Sequence, residues 1–284
     1  MFKILQKHTL APKVDMMVIH APYIAKHAKT GNFVILRLNE KGERIPLTIA
    51  DSDREKGTIT ILFQKVGKTT EALGLLKTGN SIRDIAGPLG HPTPVQKYGD
   101  CVLVGGGVGS ATHYPIIKAL KEAGNKTIMI LGARTKELLI WEENLKKYAD
   151  EFIVTTDDGS SGRKGFVTDV LKEVISKGQV NLVIAIGPVK MMGAVSEVTK
   201  PYGIKTLVSL NSLMVEGTGM CGACRVTIAG KTKFTCIDGP EFDGHEVDFQ
   251  ELERRLTFYK EEEERAFKLF LQTKLRVSKA VSRE

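Results

Sequence analysis

The sequence predicts an antiparallel β-barrel joined to an α/β domain with a parallel sheet, followed by a small cysteine-bearing subdomain and a C-terminal helical segment. Three observations carry this. Short β-rich runs crowd the first 98 residues, strand and helix patterns alternate from Asp100 to Leu210, and three of the four cysteines fall within sixteen residues. A chain of 284 residues has room for two ordinary domains and an appendage. The expected divisions are 1–98 (barrel), 99–210 (α/β domain), 211–245 (cysteine subdomain) and 246–284 (helical segment).

In the first unit, residues 1–22 alternate apolar and polar side chains like a strand pair. Met17–His20, Phe33–Leu38, Thr58–Gln64 and Ser81–Ile85 read as strands between Gly, Pro and Asp punctuation, with one helix at Thr69–Leu76. That density of strands suggests a small barrel. The second unit reads strand, glycine turn, then helix Tyr114–Ala123, strand Thr127–Leu131, helix Glu137–Tyr148 and strand Glu151–Thr155. Helix Gly165–Lys177, strand Asn181–Ile186, helix Lys190–Lys200 and strand Thr206–Leu210 complete it. In the last segment Leu252, Leu256, Tyr259, Phe267, Leu271 and Leu275 recur at roughly helical spacing, interrupted by the acidic run Glu261–Glu264. A solvated helix with one docked face is expected, with a partner subunit as the alternative contact.

The formal net charge is +8, yet Lys and Arg are interspersed with Asp and Glu and no long basic block exists. No nucleic-acid recognition signature accompanies it, so no nucleic-acid partner is expected. No stretch has the length or apolarity of a membrane span or a signal peptide, and a cytoplasmic protein is expected. Thiols in that compartment stay reduced, which directs the clustered cysteines toward metal rather than disulfides. Cys101, at the head of the apolar run CVLVGG, reads as a small core residue.

The cysteine segment runs Glu216-Gly-Thr-Gly-Met-Cys221-Gly-Ala-Cys224, and Cys236 follows after eleven residues. Plant-type [2Fe–2S] proteins use C-x4-C-x2-C with a distant fourth Cys. The spacing here is the same with Glu216 in the first position. A carboxylate can ligate iron, although it is a harder donor than thiolate. Spacing by itself leaves three outcomes: Glu216 as fourth ligand, water or a partner residue in its place, or zinc completed by His245 or Glu216.

Val102–Gly109 reads as an apolar strand running into glycines, where backbone N–H groups can approach a pyrophosphate. Thr155–Ser160 and Ile186–Met192 should lie beside it at the carboxyl ends of neighbouring strands, where open α/β sheets bind ligands. In the barrel, Arg44-Ile-Pro46-Leu47-Thr48 supplies a cation for phosphate, a rigid kink and a hydroxyl. Val66-Gly67-Lys-Thr69-Thr70 supplies a second glycine turn at a helix start, suited to a diphosphate. An ordinary turn is the alternative for each.

Together these motifs resemble the ferredoxin–NADP reductase superfamily over residues 1 to about 245. Within it they are similar to the iron–sulfur branch, which holds the small subunits of NADH-dependent reduced ferredoxin:NADP oxidoreductases, also described as sulfide dehydrogenase β subunits. The electron-transfer subunits of dihydroorotate dehydrogenase are close relatives. The resemblance implies FAD at Arg44, Pro46, Leu47 and Thr48 and at Val66, Gly67, Thr69 and Thr70, with Gly87-Pro-Leu-Gly90 as the signature before the linker. It implies NAD(H) at Gly106, Gly107, Val108, Gly109, Gly187 and Pro188, beside Asp158 and Gly159 of the T-x-D-G-S segment. Arg134, after the second strand of the α/β domain, would face the adenosine ribose, where a cation suits a 2′-phosphate; the family favours NAD. A [2Fe–2S] cluster on Glu216, Cys221, Cys224 and Cys236 completes the set, with Glu216 where the bifurcating relatives carry Asp.

The function so implied is that of an oxidoreductase subunit without a catalytic acid–base pair. It passes electrons between NAD(H), FAD and the cluster to or from a larger glutamate-synthase-like flavoprotein subunit in a heterodimer, and through that complex to ferredoxin. The segment after His245 exceeds what dihydroorotate-type subunits need and tilts the choice toward the ferredoxin:NADP type. The nearer alternative is a dihydroorotate dehydrogenase electron-transfer subunit, and the distant one a nucleotide-sensing module with structural zinc.

Overall fold

The computed structural model describes the backbone of residues 1–281 and the side chains of residues 1–273, so Leu275 lies outside the described side chains. The first unit holds β1 (Phe2–Ala11), β2 (Val14–His20), α1 (Pro22–His27), β3 (Phe33–Arg37) and β4 (Arg44–Asp53). It continues with β5 (Thr58–Gln64), α2 (Lys68–Leu75), β6 (Ser81–Ile82) and β7 (Asp84–Leu89). These strands form one antiparallel sheet in the order β6-β1-β2-β5-β4-β3-β7. Its two edge strands are joined through Arg83 alone, so the sheet curls into a nearly closed barrel. Alternate residues such as Ile4, Met17, Ile19, Ile59, Ile61 and Phe63 fill the interior.

The second unit comprises β8 (Asp100–Gly106), α3 (His113–Glu122), β9 (Lys126–Ala133), α4 (Glu142–Lys146), β10 (Glu151–Thr156) and β11 (Arg163–Lys164). Then come α5 (Val167–Lys177), β12 (Leu182–Ile186), α6 (Val189–Thr199) and β13 (Lys205–Ser209). The strand order is β11-β10-β9-β8-β12-β13-β16, parallel except that β16 (Glu241–Asp243) runs antiparallel to β13. Val102 and Val104 face α5 and α6, while Cys101 and Leu103 pack toward α3; a sheet covered on both faces demands such continuous apolar strands. Cys101 is fully buried, and burial pushes its thiol up to about 11.

Between β13 and β16 the chain forms the cysteine segment, with hairpin β14 (Arg225–Ile228) and β15 (Lys231–Phe234) and the short α7 (Thr235–Asp238). The chain ends in α8 (Phe249–Arg255) and the 22-residue α9 (Lys260–Val281). Asp248 caps α8 by accepting the Glu251 N–H at 2.8 Å.

Two expectations need correction. The helix expected at Glu137–Tyr148 is broken: a 3-10 turn at Lys136–Leu138 is followed by Trp141 at φ +56° before α4 begins. Tertiary packing overrides helical periodicity there. Ile140 is buried with Ala11, Val14, Ala50, Leu62 and Ala111 in the seam joining barrel and α/β unit, and Trp141 meets the Tyr114 ring edge-on at 5.3 Å. The second concerns the Arg44–Thr48 motif, which is not beside a strand but forms the first half of the ten-residue β4. Its first half pairs only with β3 (Arg44↔Arg37 to Thr48↔Phe33), and its second half pairs with β5 from Ile49 onward. Pro46 is tolerated because that half has no β5 neighbour for a missing N–H to fail.

A buried ion cluster ties the barrel together. Asp15 is 1% exposed and meets Lys65 at 3.0 Å and Lys7 at 3.3 Å, while Thr9 donates to it at 2.9 Å. Lys7 also donates to the Gly74 carbonyl of α2. Burial alone would raise the Asp15 carboxyl, but the hydrogen bonds from Lys65 and Thr9 and the two lysine charges outweigh it and hold it below 3.8. A depressed carboxyl contributes stability above its unfolded value and loses it as pH falls through the folded value. Asp15→Asn is therefore expected to lower unfolding stability by about 3 kcal/mol at neutral pH, because two lysines lose their buried partner. Urea titrations should show this difference shrinking below about pH 4.

Candidate functional site

β8 delivers Gly106 to a turn that forms a 3-10 helix, Gly107–Thr112, ahead of α3. A Cβ on Gly106 would lie 2.5 Å from the Met191 sulfur, and one on Gly109 would lie 3.1 Å from the Gly187 Cα. These glycines let the β8 turn and the β12 turn approach backbone to backbone. Gly107 differs: its φ is +58° and the space where a Cβ would point is open. His113, wholly buried at the foot of the turn, makes a 3.2 Å hydrogen bond to the Ile184 carbonyl; burial lowers it to about 4, so it stays neutral and donates from Nε2. This brace is not legible in the sequence, since a lone histidine after a glycine turn carries no signature.

A cleft of ≈ 360 Å³ opens over these turns. Gly106, Gly107, Val108, Arg134 and Pro188 line it together, beyond the carboxyl ends of β8, β9 and β12. Val14 and Gln64 form its barrel-side wall. Gly109 and Gly187 sit behind the lining as packing glycines. From the Thr155–Ser160 segment, Thr155 and Asp157 reach the cleft, whereas Asp158 shapes the adjoining turn by accepting the Ser160 hydroxyl at 2.6 Å. Gly159 supplies that turn's φ of +80°. An open glycine turn, a cation and a neighbouring strand-end loop fit a dinucleotide.

On the barrel, the unpaired edge of β4 runs through Pro46, Leu47 and Thr48, leaving backbone groups free for the polar rim of a flavin. Arg37, opposite Arg44 in the register, is neutralised by Asp84 at 2.7 Å; Arg44 has no ion pair among the described residues. Gly67 caps α2 with open space around it, and the Thr70 hydroxyl accepts the Val66 and Gly67 N–H groups at 3.1 Å each. Glu43 brings the two motifs together. Its carboxylate accepts from the Thr69 hydroxyl at 2.5 Å and from Lys68 at 2.9 Å, and those bonds hold it below the ordinary range. The arrangement suits FAD, its phosphates toward Arg44 and the α2 start and its ring edge along β4.

The cysteine loop packs on the barrel. Gly217, at φ +84°, admits no Cβ because Ile35 of β3 would be 2.6 Å away, and Ile237 crowds Gly219 likewise. Cys224 and Cys236 are buried beside Phe33 and Ile35, their sulfurs 3.1 Å apart. Burial and the Cys224 thiol push Cys236 up to about 12, a proton affinity that a cation in the site would reverse. Cys221 is exposed on the loop, and among the described residues no three Cys, His, Asp or Glu side chains converge for a metal ion. Glu216 is half-buried and its side chain makes no hydrogen bond or ion pair among the described residues. His245 Nε2 is bonded to the Thr199 hydroxyl at 2.8 Å on α6, and among the described residues it joins no group of three metal-ligating side chains.

Arg255 belongs to no motif in the sequence. It is 9% exposed, donates to the Ala223 carbonyl between Cys221 and Cys224 at 3.1 Å, and has no acidic partner among the described residues. A buried cation needs an anion nearby. An iron–sulfur group with thiolate and carboxylate ligands is anionic, so the donor set and its surroundings fit the cluster.

The family models agree with this division of labour. Residues 103–197 match the oxidoreductase NAD-binding domain, and residues 211–248 match the iron–sulfur cluster binding domain of dihydroorotate dehydrogenase B. Over 271 residues the chain is 49% identical to the dihydroorotate dehydrogenase B (NAD(+)) electron transfer subunit homolog of Thermotoga maritima, covering 95% of this chain and 96% of that protein. The chain belongs to this family of electron-transfer subunits. One member of known structure, reported for flavin-based electron bifurcation by NADH-dependent reduced ferredoxin-NADP oxidoreductase, superposes with a TM-score of 0.90 at 49% identity, over 95% of this chain and 97% of that one. The electron transfer subunit of Fusobacterium nucleatum dihydroorotate dehydrogenase B is 34% identical, over 85% of this chain and 95% of its own. The present electron-transfer subunit is thus part of an oxidoreductase, with a ferredoxin-reductase-like fold.

Gly107→Val is expected to weaken NADH binding at least roughly ten-fold, since a β-branched residue at positive φ costs about 1–3 kcal/mol and projects into the cleft. Calorimetric titration of NADH checks this, with cluster content unchanged. Arg255→Ala should lower iron and acid-labile sulfide per chain while leaving far-UV circular dichroism intact.

Proposed function

We propose that this subunit passes electrons between NAD(H) in the cleft, FAD on the barrel and a [2Fe–2S] cluster on Cys221, Cys224, Cys236 and Glu216. The exchange partner is a larger glutamate-synthase-like flavoprotein subunit in a ferredoxin:NADP oxidoreductase. The supporting observation is near end-to-end likeness, 49% identity at a TM-score of 0.90 over 95% of the chain, to the solved NADH-dependent reduced ferredoxin-NADP oxidoreductase component. When bound, the flavin links two-electron hydride chemistry to one-electron transfer, and the cluster carries single electrons.

The chain's own residues bind, orient and insulate. The Gly106–Gly109 turn and Arg134 hold the dinucleotide phosphates and ribose, and Pro188 closes the cleft beside Met191. Val14 and Gln64 place that cleft against the barrel, two residues before the Val66–Thr70 segment begins. Arg44, Thr69 and the α2 start anchor the flavin phosphates, and β4 orients its ring. The cysteine segment, seated on β3 and β7, holds the cluster next to the same strands. No catalytic acid–base pair is required: a hydride's two electrons would leave singly through the bound flavin, and its one proton would pass to solvent. Three free thiols at a cluster suit a reducing compartment, the cytoplasm.

A dihydroorotate dehydrogenase role is the second reading, favoured by the iron–sulfur domain match and the family's names. Those relatives at 31–34% identity match only 85–86% of this chain, whereas the bifurcating homologue matches 95%. The subunit is expected to co-purify with a glutamate-synthase-like flavoprotein; recovery with a TIM-barrel dehydrogenase instead would favour the second reading. Anaerobic protein should show flavin and iron–sulfur absorption that bleaches with NADH. Glu216→Ala should change the EPR spectrum of the reduced cluster, and an unchanged spectrum would remove Glu216 from the ligands.

A further inference from the structure

Glu241 opens β16, five residues after Cys236, in a seam where three parts of the chain meet. The interunit linker contributes Thr93, whose hydroxyl donates to Glu241 Oε1 at 2.6 Å across 148 positions of sequence. The barrel contributes Gly31, where a Cβ would come within 3.3 Å of Oε1 and 2.4 Å of the Thr93 hydroxyl. The cysteine segment contributes Gly239, whose carbonyl accepts the His91 N–H at 2.6 Å, and Pro240, which lies against Gly90 beside Phe33. Phe33 belongs to the apolar cluster that encloses Cys224 and Cys236. A chain of packed groups, Pro240 on Gly90 and Gly90 on Phe33, therefore runs from the residue before Glu241 to the cysteine cluster.

The second oxygen, Oε2, is buried with no hydrogen-bond partner among the described residues, and no cation pairs with the group there. An unpaired buried carboxylate is costly, and desolvation raises this carboxyl to about 7 against a smaller downward pull from Thr93. Around it, Ser209 stands opposite on β13 and Gly31 brings no titratable side chain, while the linker brings Tyr98, whose phenol is raised in part by the Glu241 charge, and His91, whose N–H binds the Gly239 carbonyl. The Tyr98 phenol, raised by burial, ionises well above neutral pH.

We propose that Glu241 is the proton site coupled to the cluster: when one electron arrives at the iron–sulfur group, the Glu241 carboxylate takes one proton from solvent and becomes the neutral acid. The electron adds one negative charge at the cluster and the proton removes one at Glu241, so the net charge of the pair is unchanged. The Thr93 hydroxyl, which stabilises the carboxylate, sets the pH at which the coupling operates. This inference rests on the cluster assignment made above.

EPR-monitored redox titration of the whole holoprotein between roughly pH 6 and 9 tests it. The wild-type midpoint potential should fall as pH rises, with a slope of up to about 59 mV for each tenfold change in proton activity in a one-electron step. Glu241→Gln keeps an acceptor for Thr93 and carries no titratable proton; its potential should be flat and close to the wild type's acid-side value. Thr93→Val should move the sloping region to higher pH. Infrared difference spectra on reduction should gain a protonated-carboxyl band in the wild type and lack it in Glu241→Gln. A pH-independent wild-type potential, or a slope that survives in Glu241→Gln, would overturn the inference while an intact cluster signal leaves the electron-transfer reading standing. Absence of any cluster signal would overturn both.

Discussion

The cysteine loop reaches the barrel through glycine. At Gly217 the backbone passes so close to Ile35 of β3 and Leu89 of β7 that no side chain fits between them. That contact places Cys224 and Cys236 in one apolar cluster with Phe33 and Ile35, on the strand that also pairs with the Arg44–Thr48 half of β4. The proposed flavin and cluster sites thus meet on β3, which pairs with that half of β4 and carries the cysteine loop. Electron transfer needs cofactors at a fixed short spacing, and close-packed strands hold spacing better than a linker does.

The same logic organises the other seam. Ile140 and Trp141 leave helical geometry to pack with Val108 and Ala111 against Ala11, Val14, Ala50 and Leu62. Apolar burial there fixes the α/β unit to the barrel, so that Val14 and Gln64 become a wall of the nucleotide cleft. Local helix propensity is worth tenths of a kcal/mol per residue, and burying an Ile side chain about 1.5–3 kcal/mol, so the seam wins. The cost is one left-handed non-glycine residue.

Charge is arranged on the same principle of pairing across elements. Asp15 is shared by two lysines, Asp84 neutralises Arg37, and Glu43 joins β4 to α2. Three unpaired groups are informative. Arg44, Arg255 and Glu241 lack ionic partners among the described residues, and each lies at a proposed cofactor site or the seam beside one. An unpaired charge in such a position is paired by something outside the chain, or else changes its protonation.

Periodicity and spacing alone determined the order of units, the β/α alternation and the cysteine pattern, because these depend on local geometry that the chain carries in consecutive residues. The glycine turns were legible for the same reason: Gly107 needs positive φ, and Gly106, Gly109 and Gly187 need room, whatever surrounds them. Tertiary structure decided what depended on residues far apart. It split the expected helix at Trp141, extended β4 through Pro46, and put Asp157 rather than Asp158 on the cleft wall. It withdrew His245 to Thr199, set Arg255 against Ala223, and closed Glu241 against Thr93. A histidine, an arginine and a glutamate in an unremarkable stretch look alike in sequence. Their roles came from partners 46, 32 and 148 positions away, which only packing could bring into contact.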